Sequence, residues 1–220
     1  MDNIEKYQIL MADWASKTLM PHVDRVRAGE EAEFSESQVF NTIFTGFTEI
    51  MDTYEALEFS GQLLSVASPR SKKIAKERYV KFVVNTYLQD VYILKERMNT
   101  YATKIKRMHE RIGRNKLVSQ HVDPLFPQIK SSFKGIVDTR GAHVHAKRFT
   151  DENLSEATSL ALIATHSPEF EHYYNFSVHK VKVEWKNRIR SNNDQTLKLL
   201  NLYFGELICV VADNGEVIAP

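Results

Sequence analysis

One stripe of apolar side chains constrains this chain more than any other feature. Between residues 71 and 112, Tyr79, Phe82, Val83, Tyr87, Ile93, Leu94, Tyr101, Ile105, Met108 and Ile112 recur at steps of three and four or their multiples. That period lays them along one face of an α-helix, whereas a strand would need alternation. A single helix over 71–112 would run about 60 Å, beyond the usual globular length, and Asn99-Thr100 is where it would bend or break. Thr86, Asp90 and Arg97 fall on or beside the same face. Burying such groups without partners is costly, so they either form a structural network or support an active centre.

The rest of the chain repeats this grammar. Ile4, Ile9, Leu10, Trp14, Leu19 and Val23 mark a first helix over 3–27, which Pro21 is expected to kink or divide. The charged stretch 29–33 reads as a loop, with Ser35 or Ser37 as N-cap of a helix reaching about 64. A polar connector over 113–124 leads to a short helix with Phe126, Ile129, Phe133, Ile136, Val137 and Arg140 on one face, ended by Gly141. Another helix is predicted from Asp151 to about 164. The last segment carries a heptad through Val178, Val181, Trp185, Ile189, Thr196, Leu200, Tyr203, Leu207 and Val210. It is read as one helix interrupted or bent at 191–194, or else as two. Long helices on short connectors imply an all-α helical bundle with long antiparallel helices.

At 220 residues and 43% hydrophobic, the chain can bury one substantial core, so a single domain over 1–220 is expected. No apolar run approaches the roughly 20 residues of a membrane span, and no signal-peptide pattern opens the chain. A lone cysteine, Cys209, in an apolar run reads as a core residue and fits a reducing compartment. A cytoplasmic protein without a membrane partner is therefore expected. The net charge of +1 hides an asymmetry: residues 1–60 hold 12 acids and 4 bases, while 61–220 hold 16 acids and 25 bases. A polyanion would favour the second part, above all 70–81 and 95–116, unless acidic and basic helices simply neutralise one another.

Against this background Arg140-Gly-Ala-His-Val-His145 stands out. A permanent guanidinium and a group titrating near neutrality can cleave RNA without a metal: imidazole moves the 2′-hydroxyl proton while arginine steadies charge on the phosphate. With 12 Arg and 8 His in the chain, chance gives about 0.4 such pairs at any one spacing, so context decides. The bland alternative makes Arg140 a helix-capping residue and His145 an ordinary surface imidazole.

The order of features, a long helix through Tyr79-Val-Lys-Phe82, Tyr87 and Ile93-Leu-Lys-Glu-Arg97, then Phe133 to Arg140, then Val144-His145 and a helix opened by Asp151, resembles the HEPN superfamily. The resemblance covers about 75–165. It implies an α-helical bundle with a HEPN-like core over about 70–213, on which the acidic N-terminal helices 1–66 would pack. It also implies a metal-independent endoribonuclease without cofactor, commonly a homodimer, of a toxin–antitoxin or phage-defence kind, with RNA and an antitoxin protein as partners. Arg140 would lie on the phosphate and His145 would be general acid or base, with Asp90 and Arg97 in support. The family usually places Asn, Asp or His directly after the arginine; this chain has Gly141, and His143 is the residue placed to substitute. A non-catalytic interaction or scaffold protein of the same fold is the alternative.

Two other constellations compete. Arg114-Asn115 with His121 also meets the family spacing, but in a polar connector without the apolar lead-in. Asp138, His143 and His145, with His166 and His172 farther on, resemble metal ligands, yet the chain has neither a cysteine pair nor a His-Glu-x-x-His run. No phosphate-binding loop is present. His22, His109 and His179 read as surface or packing residues, and Tyr173 and Tyr174 as core positions or base-stacking platforms.

Overall fold

The computed structural model describes residues 1–29, 38–71, 73–135 and 151–218, and the fold is all-α. Helix α1 covers Asn3–Arg27, α2 Gly46–Ser65, α3 Lys76–Arg111, α4 Leu125–Ser132, α5 Glu152–His166 and α6 Glu171–Val211. A two-residue hairpin, β1 Ala212–Asp213 and β2 Glu216–Val217, follows α6. Its turn residues, Asn214 and Gly215, have φ of 51° and 81°. Two successive positive φ values make the tight turn that matches strand twist, and Asn-Gly is the pair that accepts them. Helical periodicity does not foretell this hairpin.

The chain divides into two compact units, each assembled from separated stretches of sequence. The first comprises Met1–Met51, Lys95–Ser132 and Thr196–Pro220, and the second Asp52–Leu94 and Phe133–Gln195.

The first unit is organised around buried aromatic residues. Tyr7 packs against Phe204 and Phe47 at ring distances of 4.8 and 5.4 Å. The approach to α2 begins with one helical turn, Gln38–Phe40, and passes through a π-helical turn, Asn41–Thr45. Tyr101 donates its hydroxyl proton to Ile43 O in that turn at 3.0 Å, and Tyr7 lies 2.6 Å from the same hydroxyl. A phenol has one proton, so Tyr7 must be the donor in the second bond. Gly46 makes room for this ring: a Cβ there would sit 2.4 Å from Tyr101 Cδ2. Tyr203 donates to Met98 O at 2.8 Å. Burial pushes all three phenols well above their ordinary pKa, so they remain neutral donors.

In the second unit, apolar side chains of α2, α3, α5 and α6 (Leu57, Val84, Tyr87, Leu154, Val181 and Ile189 among them) make the core. Asn193 on α6 accepts from Tyr87 Oη at 3.1 Å and donates to Leu57 O at 3.2 Å. The polar stretch 191–194 is therefore a hydrogen-bonding turn inside one uninterrupted helix, neither a break nor a junction. Tyr79 donates to Leu63 O at 2.8 Å and Lys182 donates to Val66 O, which satisfies carbonyls at the end of α2.

Several expectations need correcting. Helix α1 continues through Pro21, and α3 continues through Asn99-Thr100, where Thr103 bonds Asn99 O at 2.8 Å. The buried face of α3 follows Val80, Val84, Tyr87, Val91, Leu94, Met98, Tyr101, Ile105 and His109, while Phe82 and Ile93 are exposed. Thr86, Asp90 and Arg97 are thus half-buried flank positions beside that face. The connector contains helical turns at Asn115–Leu117 and Val118–Val122, held by buried Val118 and Val122. Cys209 is exposed, facing away from the core that Leu207 and Val210 enter.

Tyr101→Phe removes the side-chain proton offered to Ile43 O, leaving that carbonyl the Gly46 N–H, and it removes the acceptor of the Tyr7 hydroxyl. Urea unfolding should show a loss of about 1–3 kcal/mol without loss of helicity in the residual folded state.

Candidate functional site

Arg140, Gly141, His143 and His145 lie outside the described residues, as do Asp138 and the end of the helix expected to carry them. Both described flanks belong to the second unit. On one side Phe133 is buried. On the other, Asp151 is the N-cap of α5. Its Oδ1 accepts from Leu154 N at 3.1 Å, and its Oδ2 accepts from Trp185 Nε1 at 3.1 Å and faces Arg188 Nη1 at 3.5 Å. Arg188 also pairs with Glu184 and lies over the Trp185 ring, 5.1 Å from its centroid. One carboxylate thereby caps α5 and joins it to α6.

The expected supporting residues are not brought together within one unit: Asp90 belongs to the second and Arg97 to the first. Arg97 Nη1 donates to Glu49 O at 2.7 Å, which commits part of its guanidinium to holding α2 against α3.

The second arginine–histidine pair is described in full. Arg114 Nη1 donates to Val210 O at 2.7 Å, and His121 Nδ1 lies 2.7 Å from Glu206 Oε2. Glu206 and Val210 are one turn apart on α6, so both members of the pair serve to dock the connector on that helix. His109 lies buried in the same unit, with neither ring nitrogen hydrogen-bonded among the described residues. Burial lowers its pKa to about 4, with Arg114 adding repulsion.

The first unit also carries a cationic hollow. Lys104, Arg107 and Arg111 follow one another at steps of three and four along α3 and line a cavity of about 420 Å³ with Val39, Met108 and Ile112. No ion pair joins any of the three to a carboxylate among the described residues. Lys106, on the same helix, is neutralised by Asp123 at 2.6 Å and Glu110 at 3.7 Å. Seven residues of helix spread the three free cations over about 10 Å, enough to meet more than one phosphate. The basic run 95–116 was legible in the sequence. Which of its members stay unpaired depends on carboxylates brought in by the fold.

Among the described residues, no helix is long and apolar enough to cross a membrane, and no group of three metal-ligating side chains converges. No protein-family model, curated protein or solved structure matches the chain.

His109 sets a pH dependence. Between pH 6.5 and about 4 the unfolded imidazole binds a proton that the folded one refuses. Its contribution is therefore fully present above pH 6.5 and is lost as pH falls through that window, by about 3 kcal/mol at most. Denaturation midpoints at pH 7.0 and 5.0, measured for wild type and His109→Phe, should show a smaller drop in the variant.

Proposed function

We propose that this chain is a HEPN-like, metal-independent endoribonuclease that holds RNA by its phosphates at Lys104, Arg107 and Arg111 and cleaves it with Arg140 and His145. The observation that carries the reading is the line of three cations on α3 that no carboxylate pairs among the described residues, a surface suited to a polyanion. The all-α fold is the architecture the resemblance implies. The helix capped by Asp151 begins where the motif requires a new helix. Arg114 and His121, the other pair of suitable spacing, are engaged in docking the connector.

In the proposed reaction His145 takes the proton of a ribose 2′-hydroxyl, whose oxygen attacks the adjacent phosphorus. Arg140 stabilises charge on the non-bridging oxygens. The bond to the 5′ oxygen breaks, and that oxygen receives a proton, giving a 2′,3′-cyclic phosphate and a 5′-hydroxyl. A homodimer would supply a second histidine, so that one acts as base and the other as acid. His143 would replace the polar group absent at Gly141. A toxin or defence role, with a cognate antitoxin as partner, belongs to the same proposal. Gly141 specifically favours one second reading, a non-catalytic interaction or scaffold protein of this fold.

With EDTA present, purified protein should cleave RNA, and His145→Ala should abolish cleavage while leaving RNA affinity unchanged. Arg107→Gln should weaken binding and reduce the slope of log affinity against log salt by about 0.7. Equal cleavage by His145→Ala would reject the catalytic assignment. Binding without cleavage by the wild type would establish the scaffold reading.

A further inference from the structure

A second cavity, of about 670 Å³, lies wholly within the second unit, between the first turn of α3, α5 and the first turn of α6. Its hydroxyls keep their own protons, and the exposed Arg78 is the lining side chain that brings N–H donors. Thr158, Ser159 and Thr165 direct their hydroxyl protons to Leu154 O, Ser155 O and Ala161 O at 2.8, 3.1 and 2.8 Å. What these hydroxyls offer the cavity is lone pairs.

Glu77 lies in the same wall and is only 6% exposed. Its Oε2 accepts from Tyr174 Oη at 2.6 Å, but no cation pairs with this carboxylate among the described residues. A buried carboxylate without a counter-charge is costly; the first-turn position of Glu77 on α3 offsets only part of that. The charged lining residues Arg78 and Glu171 are both exposed and opposite in sign, so they leave the balance to Glu77. Lys76 is engaged by Asn175 Oδ1 at 2.8 Å. Leu162 and alanines of α5 complete the wall with methyl and methylene surface.

We infer that this cavity binds a linear alkylpolyamine, with its N–H groups on Glu77 and the α5 hydroxyl oxygens and its methylenes along Leu162 and the alanines. A cation lacking N–H donors would leave those lone pairs unmet, and an anion would face Glu77 directly.

Isothermal titration of the RNA-free full chain with spermidine tests this. Saturable binding of one spermidine is expected, with choline and magnesium failing to compete. Glu77→Gln, which keeps the shape and removes the charge, should weaken affinity at least tenfold. Should that variant lose helicity, Thr165→Val paired with Thr158→Val serves instead and should weaken it several-fold. No saturable binding, equal binding by folded variants, full competition by choline or magnesium, or binding of a lysine-rich peptide but not spermidine would each overturn the proposal. RNA binding and cleavage should be unaffected by these substitutions, so failure here is separable from failure of the nuclease reading.

Discussion

The bond from Tyr101 to Ile43 O ties α3 to the π-helical turn that leads into α2. It can form only because three local features agree. The π-helical turn over Asn41–Thr45 alters the spacing of the carbonyl ladder, Gly46 leaves space for the ring, and Tyr7 supplies the proton that the Tyr101 oxygen still needs. Each phenol is buried, so each bond replaces one to water and would be expensive to leave unmade. The aromatic packing of Tyr7 on Phe204 and Phe47 then follows from where that hydroxyl must sit.

Much of the fold was legible because helical periodicity reports burial directly. The stripe on α3 and the heptad on α6 led to the correct class, and Asp151 was recognisable as a helix start. The errors share one cause: tertiary partners are invisible to a periodic pattern. Asn193 looks like a break until Tyr87 and Leu57 O are seen to claim its amide. Phe82 and Ile93 fit the α3 period nearly as well as Val84 and Val91, and only the packing places the first pair outside. Cys209 looked apolar by company, yet it lies on the opposite side of α6 from its buried neighbours. The Asn214-Gly215 turn is marked by its turn chemistry, to which helical periodicity is blind.

The candidate site was less legible than the fold. Spacing alone could not rank Arg140/His145 against Arg114/His121, since both satisfy it. Packing accounts for the second pair alone: the contacts of Arg114 with Val210 O and of His121 with Glu206 give it a structural occupation, while Arg140 and His145 lie outside the described residues. His109 illustrates the reverse difficulty. In sequence it is one of eight histidines; in the fold it is a neutral imidazole enclosed beside a guanidinium, and its charge state is fixed by desolvation. A buried neutral histidine of this kind is a stability element sensitive to acid, whatever reaction the protein performs.

Charge runs show most clearly why sequence and fold must be combined. The stretch 95–116 looks uniformly basic, but its members have different fates. Lys95 pairs with Glu96, Lys106 with Asp123 and Glu110, and Arg114 is bound to a carbonyl. Lys104, Arg107 and Arg111 have no ion-pair partner among the described residues and lie along one exposed stripe. An ion pair already made offers little to an incoming phosphate, because the carboxylate must first be displaced and both groups rehydrated. An unpaired cation, screened only by mobile counterions, gains the entropy of their release when a polyanion arrives. Among the described residues, the surface left open to a polyanion is therefore set by where Asp123 and Glu110 fall as much as by where the lysines and arginines do.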